Sequence, residues 1–190
     1  LEDAIGQLGS SINMGTSDEY ITISGNCLAR NYEATMDLVT EILLEPRWDA
    51  AEFERIKKST INNIQQREAN PNAIASVVLN KMLYGDDHVL SNPTVGYIET
   101  VASITLEDVK AYYDKNFSPN ITNYHVAGAV SQDGAMAALS ELETKWASKE
   151  VEIPTYEVPA VPSEPQVYFV DVPNSKQSVI RIGRLTVAGD

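Results

Sequence analysis

Two histidines are the side chains that could most directly serve catalysis or metal binding. His88 lies in the stretch YGDDHVLSNP, beside Asp86 and Asp87, and His125 lies in the strand-like stretch NITNYHVAGAV. An HExxH or HxxEH site needs two imidazoles on one face of a single helix, and these two are far apart in the chain. We favour a solvated loop for His88 and a structural role for His125. A zinc site built from them and nearby carboxylates is the alternative.

A pair of amides, Asn62 and Asn63, stands near the end of the long helical pattern WDAAEFERIKKSTINNIQQREANP. A carboxamide is neutral, whereas protein zinc sites use thiolate, imidazole and carboxylate ligands. From the residues alone, two interpretations stay open. The pair either faces solvent as ordinary polar helix residues, or stands where a metal-dependent enzyme would carry a carboxylate.

Other reactive groups have structural explanations. Cys27 is the only cysteine, so neither an internal disulfide nor a cysteine-based zinc site can form, and we expect a small buried side chain in a strand. Glu52 and Glu54 fall in the first turn of a helix, where negative charge is favourable. The patterns GxxxxGK[ST], GxGxxG and GxSxG are missing from the sequence, so a phosphate loop or an esterase nucleophile has no support.

The charge of the chain excludes two classes of partner. The formal net charge is −13 over 190 residues, which opposes binding to phosphate backbones and to anionic lipid. We therefore predict no nucleic-acid partner and no membrane partner. The sequence shows no signal peptide or apolar run of membrane-spanning length. Because it opens within a helical pattern and ends at RLTVAGD without a stop signal, we interpret it as part of a longer protein.

The first half of the chain predicts helices around a pair of strands. A short helix ends at Gly9, and the stretch SSINMGTSDEYITISGNCL reads as two strands joined near residues 15–18. A helix follows with Asn31 as its N-cap and Pro46 after its end. The long helix then starts at Asp49, and Pro71 begins another that Gly85 closes.

The second half predicts two more helices, one strand, a linker and a hairpin. In TLEDVKAYYDKNF, Thr105 precedes Asp108 by three residues, as in a capping box. The strand NITNYHVAGAV precedes the helix QDGAMAALSELETKWAS. Four prolines then mark an extended linker, and QVYFVDV and QSVIRIG read as two strands joined through PNSK. Together these elements predict an α+β fold, with helices packed on one face of an antiparallel sheet.

Several stretches in this order resemble the insulinase/pitrilysin-type zinc peptidases. They are LGSSINMGTSDEYITISGNCLARNYEATMDLVTEILLEPRWDAAEFERIK, LYGDDHVLSNPTVGYIETVASITLEDVKAYYDKNFSPNITNYHVAGAV and the tail VYFVDVPNSKQSVIRIG. The resemblance covers nearly the whole chain and is strongest to long bacterial members built from two homologous halves. It implies a truncated peptidase-like α+β domain over 1–148, a proline-rich linker over 149–165, and over 166–190 the opening hairpin of the following domain.

This resemblance gives the amide pair a meaning. In active members an HxxEH helix supplies two histidine ligands and the general base, and a distal glutamate on the long helix completes the zinc site. The helical pattern places that glutamate at Asn63, with Asn62 as its neighbour, so the third-ligand position is degenerate here. Glu68 lies five residues on and faces another direction. The resemblance thus implies no catalytic residue and no metal or cofactor in this segment, with zinc held in the other half of the parent protein.

The function implied is that of the inactive half of a zinc metalloendopeptidase. Such a half forms part of the chamber wall, pairs with the catalytic half of the same protein and helps to hold the peptide substrate. An assembly subunit related to the non-peptidase members of the family is the alternative to this role, and the His88/His125 zinc site is the other. For a bacterial parent we expect a periplasmic or cell-envelope location.

The tail carries one structural prediction. A two-stranded hairpin is marginal in water when it is isolated, and an uncovered sheet edge invites pairing. We therefore expect residues 166 to 185 to dock on the sheet, in the same chain or in a neighbour. A homodimer through the sheet edge or the tail hairpin is the corresponding partner prediction.

Overall fold

The computed structural model describes residues 1–157, 159–161 and 164–186. In this part of the chain the elements, in order, are α1 (Glu2–Gln7), β1 (Ser11–Thr16), β2 (Ile21–Asn26), α2 (Tyr32–Leu44), α3 (Ala50–Glu68), α4 (Pro71–Tyr84), α5 (Ile98–Ser103), α6 (Leu106–Asn116) and α7 (Gln132–Lys145), with short 3-10 turns between some of them. None of the described helices has the length and apolar character needed to cross a membrane.

The chain divides into two compact units. Unit 1 comprises Leu1–Asp49 and Thr105–Ile153, and unit 2 comprises Ala50–Ile104 and Pro154–Asp190. The α+β class is confirmed, since the described residues combine mostly helices with one two-stranded antiparallel sheet. The predicted segment boundaries at 148/149 and 165/166 stay a prediction.

The sheet forms where alternating apolar residues flank a turn. Strands β1 and β2 pair in antiparallel register from Ser11 opposite Asn26 to Thr16 opposite Ile21. Ser17 closes the turn, because its amide donates to the carbonyl of Tyr20 at 2.8 Å and its Oγ accepts from the amide of Tyr20 at 3.0 Å. The predicted strand pair and its turn chemistry are confirmed.

A single asparagine links the ends of α1 and α2. Asn31 occupies the N-cap position of α2, as predicted, but its side chain makes no hydrogen bond to that helix. Instead its Nδ2 donates to the carbonyl of Leu8 at 2.7 Å, at the end of α1. Gly9 follows with a φ of +60°, which glycine adopts without steric cost. The expected helix end at Gly9 is thereby confirmed.

Unit 1 is built around the contact between α2 and α7. Leu43, Ala135 and Leu142 are its buried apolar side chains. At the end of α2, the Tyr113 hydroxyl donates to the carbonyl of Leu43 at 2.6 Å, which satisfies one of the carbonyls a helix end leaves open. The Tyr113 ring meets Trp48 edge-on at 5.4 Å, so aromatic packing supports the same place.

Unit 2 is built on the long helix α3, which contacts α4 and α5. Ile64 is its buried apolar side chain, at 4% exposure. Helix α4 begins as predicted, with Pro71 in its first turn and Asn70 accepting the amide of Asn72 at 2.9 Å. It ends at Gly85, whose φ is +81°. These caps confirm the predicted break between α3 and α4.

The prediction of a strand in the stretch NITNYHVAGAV is wrong. A 3-10 turn occupies Pro119–Ile121, and the residues up to α7 form neither helix nor strand. Tyr124 and Val126 are 38% and 44% exposed there. β-branched and aromatic residues favour a pleated, half-buried surface, and this stretch has no strand partner within the described chain.

The hairpin predicted over 166–185 is also not formed. These residues carry no strand, and the sheet of the described residues contains β1 and β2 alone. One turn remains, in which the amide of Ser175 donates to the carbonyl of Val172 at 3.1 Å. Two strands without a packed face are too weak to hold a ladder, which is the physical reason for the difference. Docking as added strands on the sheet of the same chain is therefore wrong, whereas docking on the sheet of a neighbouring chain stays a prediction.

Candidate functional site

The amide pair singled out in the sequence lies on an exposed face of α3. Asn62 and Asn63 are both exposed, whereas the next residue, Ile64, is buried. The helix therefore turns its apolar stripe inward at Ile64 and presents both carboxamides outward. That Asn63 occupies a degenerate third-ligand position stays a prediction.

The donor groups at this position do not suit zinc. Both carboxamides are neutral, and zinc sites draw on anionic oxygen, thiolate or imidazole. Across residues 1–157, 159–161 and 164–186, no three His, Cys, Asp or Glu side chains are grouped so that they could hold a metal ion.

His88 contacts both the end of α4 and the proline-rich segment. Its Nδ1 accepts the amide of Leu90 at 3.1 Å, and its imidazole stacks on Tyr84 with ring centroids 5.2 Å apart. On another side lies the ring of Tyr156, from the proline-rich segment, at 5.5 Å. The loop predicted to be solvated around His88 is thus a more ordered element. In it the imidazole Nδ1 already accepts a hydrogen bond. Asp86 and Asp87 are exposed.

His125 is exposed in the irregular segment before α7, and its neighbour Tyr124 makes the contacts instead. The hydroxyls of Tyr124 and Tyr32 lie 2.5 Å apart. Burial raises the pKa of Tyr124, and the hydrogen bond between its hydroxyl and that of Tyr32 raises it further. Tyr124 is therefore a neutral phenol at physiological pH and fixes the segment to α2. Sequence reasoning missed this pair, which no spacing rule connects.

A buried serine fixes the start of the proline-rich segment. Ser118 is 1% exposed, and its Oγ donates to the carbonyl of Lys149 at 2.7 Å and accepts the amide of Lys149 at 3.1 Å. The ammonium of Lys149 in turn donates to the carbonyls of Tyr113 and Asp114 near the end of α6. A cation at a helix C-terminus is favourable. Only the serine-proline pair at 118–119 hinted at this in the sequence.

A groove of about 290 Å³ lies between α2 and α7. Its lining includes the apolar side chains of Met36, Ala137 and Ala138 together with the charged side chains of Arg30, Glu33, Asp37 and Glu141. We call this the α2–α7 groove.

The comparisons with known proteins agree on the family. The family model described as peptidase M16 inactive domain matches residues 103–189. An uncharacterized zinc protease of Mycobacterium leprae is 24% identical over 141 residues, which is 74% of this chain and 32% of that protein. A non-peptidase homolog of Helicobacter pylori is 24% identical over 163 residues, which is 85% of this chain and 38% of that protein. The chain thus spans about a third of the length of these relatives.

The fold agrees as well. The crystal structure of a peptidase M16 inactive domain from Pseudomonas fluorescens superposes with a TM-score of 0.77 at 24% identity, covering 85% of this chain and 39% of that one. The resemblance drawn from the sequence is confirmed. Through residues 103–189 the chain is similar to the peptidase M16 inactive domain, and its fold is similar to that of the solved inactive domain.

Proposed function

We propose that this chain is a metal-free portion of an insulinase-type zinc metalloprotease, where it forms chamber wall, pairs with the catalytic half and helps to hold the peptide. The observation that carries the proposal is the match of residues 103–189 to an inactive domain of this family. The neutral amides at Asn62 and Asn63 support it, because a zinc-holding helix needs an acidic ligand at that place. Zinc then belongs to the other half of the parent protein.

Peptide holding needs a surface that accepts an extended chain. Strands β1 and β2 pair with each other, and a two-stranded sheet leaves one unpaired edge on each strand. An extended peptide can add to such an edge through its backbone hydrogen bonds. Because the net charge is −13, we expect basic peptides to bind more tightly than acidic ones. A homodimer through the sheet edge or the tail is the second arrangement in this proposal.

Zinc content and peptide cleavage together test the metal-free role. The chain is dialysed against zinc and then freed of loose metal, after which zinc is counted by mass spectrometry and a quenched fluorescent peptide mixture reports cleavage. We expect far less than one zinc per chain and no cleavage. Stoichiometric zinc that disappears in His88→Ala or His125→Ala, together with cleavage, establishes the catalytic alternative instead.

Holding is tested separately with two labelled peptides of equal length, one alternating lysine with valine and one alternating glutamate with valine. Fluorescence anisotropy should show saturable binding of the basic peptide and weaker binding of the acidic one. Equal affinity contradicts the preference for basic peptides, and no binding of either peptide removes peptide holding from the proposal; both outcomes leave the metal-free role untouched.

An assembly subunit is the second candidate, favoured by the Helicobacter pylori relative that is named a non-peptidase homolog. The coding sequence upstream of Leu1 separates the two candidates. An HxxEH motif there supports a peptidase parent, whereas a full-length parent without one supports the assembly role.

A further inference from the structure

His88 joins two distant parts of unit 2 through its imidazole ring. The ring stacks on Tyr84, at the end of α4, with centroids 5.2 Å apart and planes inclined by 24°. Its second neighbour is Tyr156 of the proline-rich segment, with centroids 5.5 Å apart and planes inclined by 48°. Both distances lie in the range over which aromatic rings attract one another. Tyr156 is 51% exposed, so the imidazole supplies part of the cover that this side chain has.

The chain beyond the proline-rich segment returns to the same helix. Gly183, in the tail of residues 166–186, lies against Leu79 and Leu83 of α4, where an added Cβ would come within 3.2 Å of a methyl group of each. The stretch 156–183 therefore has one contact near the end of α4, at Tyr156, and a second on α4, at Gly183. The second contact is apolar and contains no titrating group, whereas the first includes a histidine.

The same imidazole caps the 3-10 turn Val89–Ser91. Its Nδ1 accepts the amide hydrogen of Leu90 at 3.1 Å. A neutral imidazole has one N–H donor and one bare acceptor nitrogen. Because Nδ1 is the acceptor here, the ring proton lies on Nε2, and a second proton can add only at Nδ1.

Protonation of His88 and its hydrogen bond to Leu90 therefore exclude each other. A protonated Nδ1 is a donor and would face the amide of Leu90, which is also a donor. The imidazolium must turn, and the partly buried amide then loses its acceptor, which is unfavourable. The turn that positions the imidazole between the two tyrosine rings loses its cap in every such arrangement. The ordinary charge change of histidine falls between pH 5 and pH 8.

The groups around His88 favour an imidazolium only weakly. The titratable and charged groups on the elements packed against it are Lys81 and Tyr84 of α4, Asp86 and Asp87 of its own loop, and Tyr156 and Glu157 of the proline-rich segment. The three carboxylates are exposed, so solvent screens their attraction for a cation. The ammonium of Lys81 lies over the ring of Tyr97 at 5.3 Å. The tyrosine faces attract a cation, but only one that stays beside them, where Nδ1–H would meet the Leu90 amide.

We infer that His88 makes the attachment of the proline-rich segment to the end of α4 pH-dependent. The neutral imidazole holds Tyr156 in place, and protonation at Nδ1 releases it. The attachment is thus present above the pH range in which histidine gains its charge and is lost as the pH falls through that range. The contact of Gly183 with α4 does not change over the same range. This inference concerns unit 2 alone and does not depend on the proposed function.

Nuclear magnetic resonance of the isotope-labelled 190-residue chain, kept in a chelator, tests this inference. At pH 8 we expect a proton on Nε2 of His88, a nitrogen–nitrogen coupling across the hydrogen bond from Leu90, and a nuclear Overhauser effect between the rings of His88 and Tyr156. At pH 5 the coupling and the ring contact should be lost. The Leu90 amide should then exchange with solvent about tenfold faster relative to its intrinsic rate. The contact between Gly183 and Leu79 should persist at both pH values.

Two variants separate His88 from other titrating groups. His88→Gln removes the titration but keeps a side-chain acceptor, so the Tyr156 signals should no longer respond between pH 8 and pH 5. His125→Gln is the matched control, because His125 is the other histidine, is exposed and lies in unit 1, and this variant should keep the response.

Four results would overturn the inference. One is a contact between His88 and Tyr156 that persists with a protonated imidazole, as a ring flip in place would produce. Another is a proton on Nδ1 at pH 8. The third is a response of Tyr156 that survives in His88→Gln. The last is loss of the Gly183 contact together with that of Tyr156, because it would show a general loss of structure.

Discussion

Asn63 and Ile64 are neighbours on α3 in opposite environments. The side chain of Asn63 is exposed, whereas Ile64 is buried, at 4% exposure. We predict that Asn63→Ala changes the free energy of unfolding by less than about 0.5 kcal/mol, as surface substitutions usually do. Ile64→Ala should cost about 2–5 kcal/mol, because it leaves a cavity. Urea denaturation of both variants measures this. A large cost for Asn63→Ala contradicts the exposed placement and points to a partner for its carboxamide.

Ser118 makes a second prediction at the residue scale. Its hydroxyl is buried and satisfies both backbone groups of Lys149, so Ser118→Ala should cost about 1–3 kcal/mol of stability. Ser103→Ala is the control, because that hydroxyl donates to the carbonyl of Thr100 from an exposed position. Thermal unfolding should separate the two. Equal melting temperatures show that residues 148–149 are not held through Ser118.

At the scale of elements, the start of α6 carries a pH-dependent cap. The Thr105 hydroxyl accepts the amide of Asp108 at 3.1 Å, and the Asp108 carboxylate accepts the amide of Thr105 at 2.8 Å, so the predicted capping box is confirmed. The hydrogen bond from the Thr105 hydroxyl lowers the pKa of Asp108 below its ordinary 3.8, and the bond from the Thr105 amide adds to this.

The cap gives a signed prediction. A lowered folded pKa means that the stabilisation is present above pH 3.8 and is lost as pH falls through the lower folded value. Asp108→Ala should therefore lower the melting temperature at neutral pH, and its difference from the parent chain should shrink below about pH 4. Glu107→Ala is the control, since Glu107 lies in the same helical turn and pairs with Lys110. A difference for Asp108→Ala that does not change with pH contradicts a stabilising carboxylate.

The stretches that were wrongly predicted as strands show that strand composition alone does not produce a paired strand. Residues 120–130, QVYFVDV and QSVIRIG all have strand composition, yet none is paired in the described chain. By contrast, SINMGT and ITISGN do pair, across the turn that Ser17 closes. QVYFVDV and QSVIRIG are also joined by a short connection, PNSK, and stay unpaired, so strand composition and a short connection together do not suffice for pairing.

At the scale of the whole molecule, charge is the dominant feature. A net charge of −13 makes the folded chain repel itself, and salt screens this repulsion. We predict that the melting temperature rises as sodium chloride is added from low to physiological ionic strength. Choline chloride should have the same effect if the cause is screening. A melting temperature that falls with both salts implies that attractive ion pairs outweigh the repulsion.

Exposed ion pairs within single helices make that last outcome a clear test. They are Arg55 with Glu52, Lys110 with Glu107 and Lys145 with Glu141, each within one helix turn and exposed. Such pairs contribute little and weaken in salt. A rise in melting temperature therefore reports the net repulsion within a chain of charge −13.

By itself the sequence determined the local features of this protein: the helix limits at Gly9, Pro71 and Gly85, the capping box, the β1–β2 turn and the family resemblance. Each depends on residues within a few positions of one another, or on their order along the chain. Only the tertiary structure decided that Asn31 caps α1, that Tyr124 meets Tyr32, that Ser118 holds Lys149 and that the predicted tail strands stay unpaired. These outcomes join residues distant in sequence or depend on what lies beside them, so no local propensity or spacing encodes them.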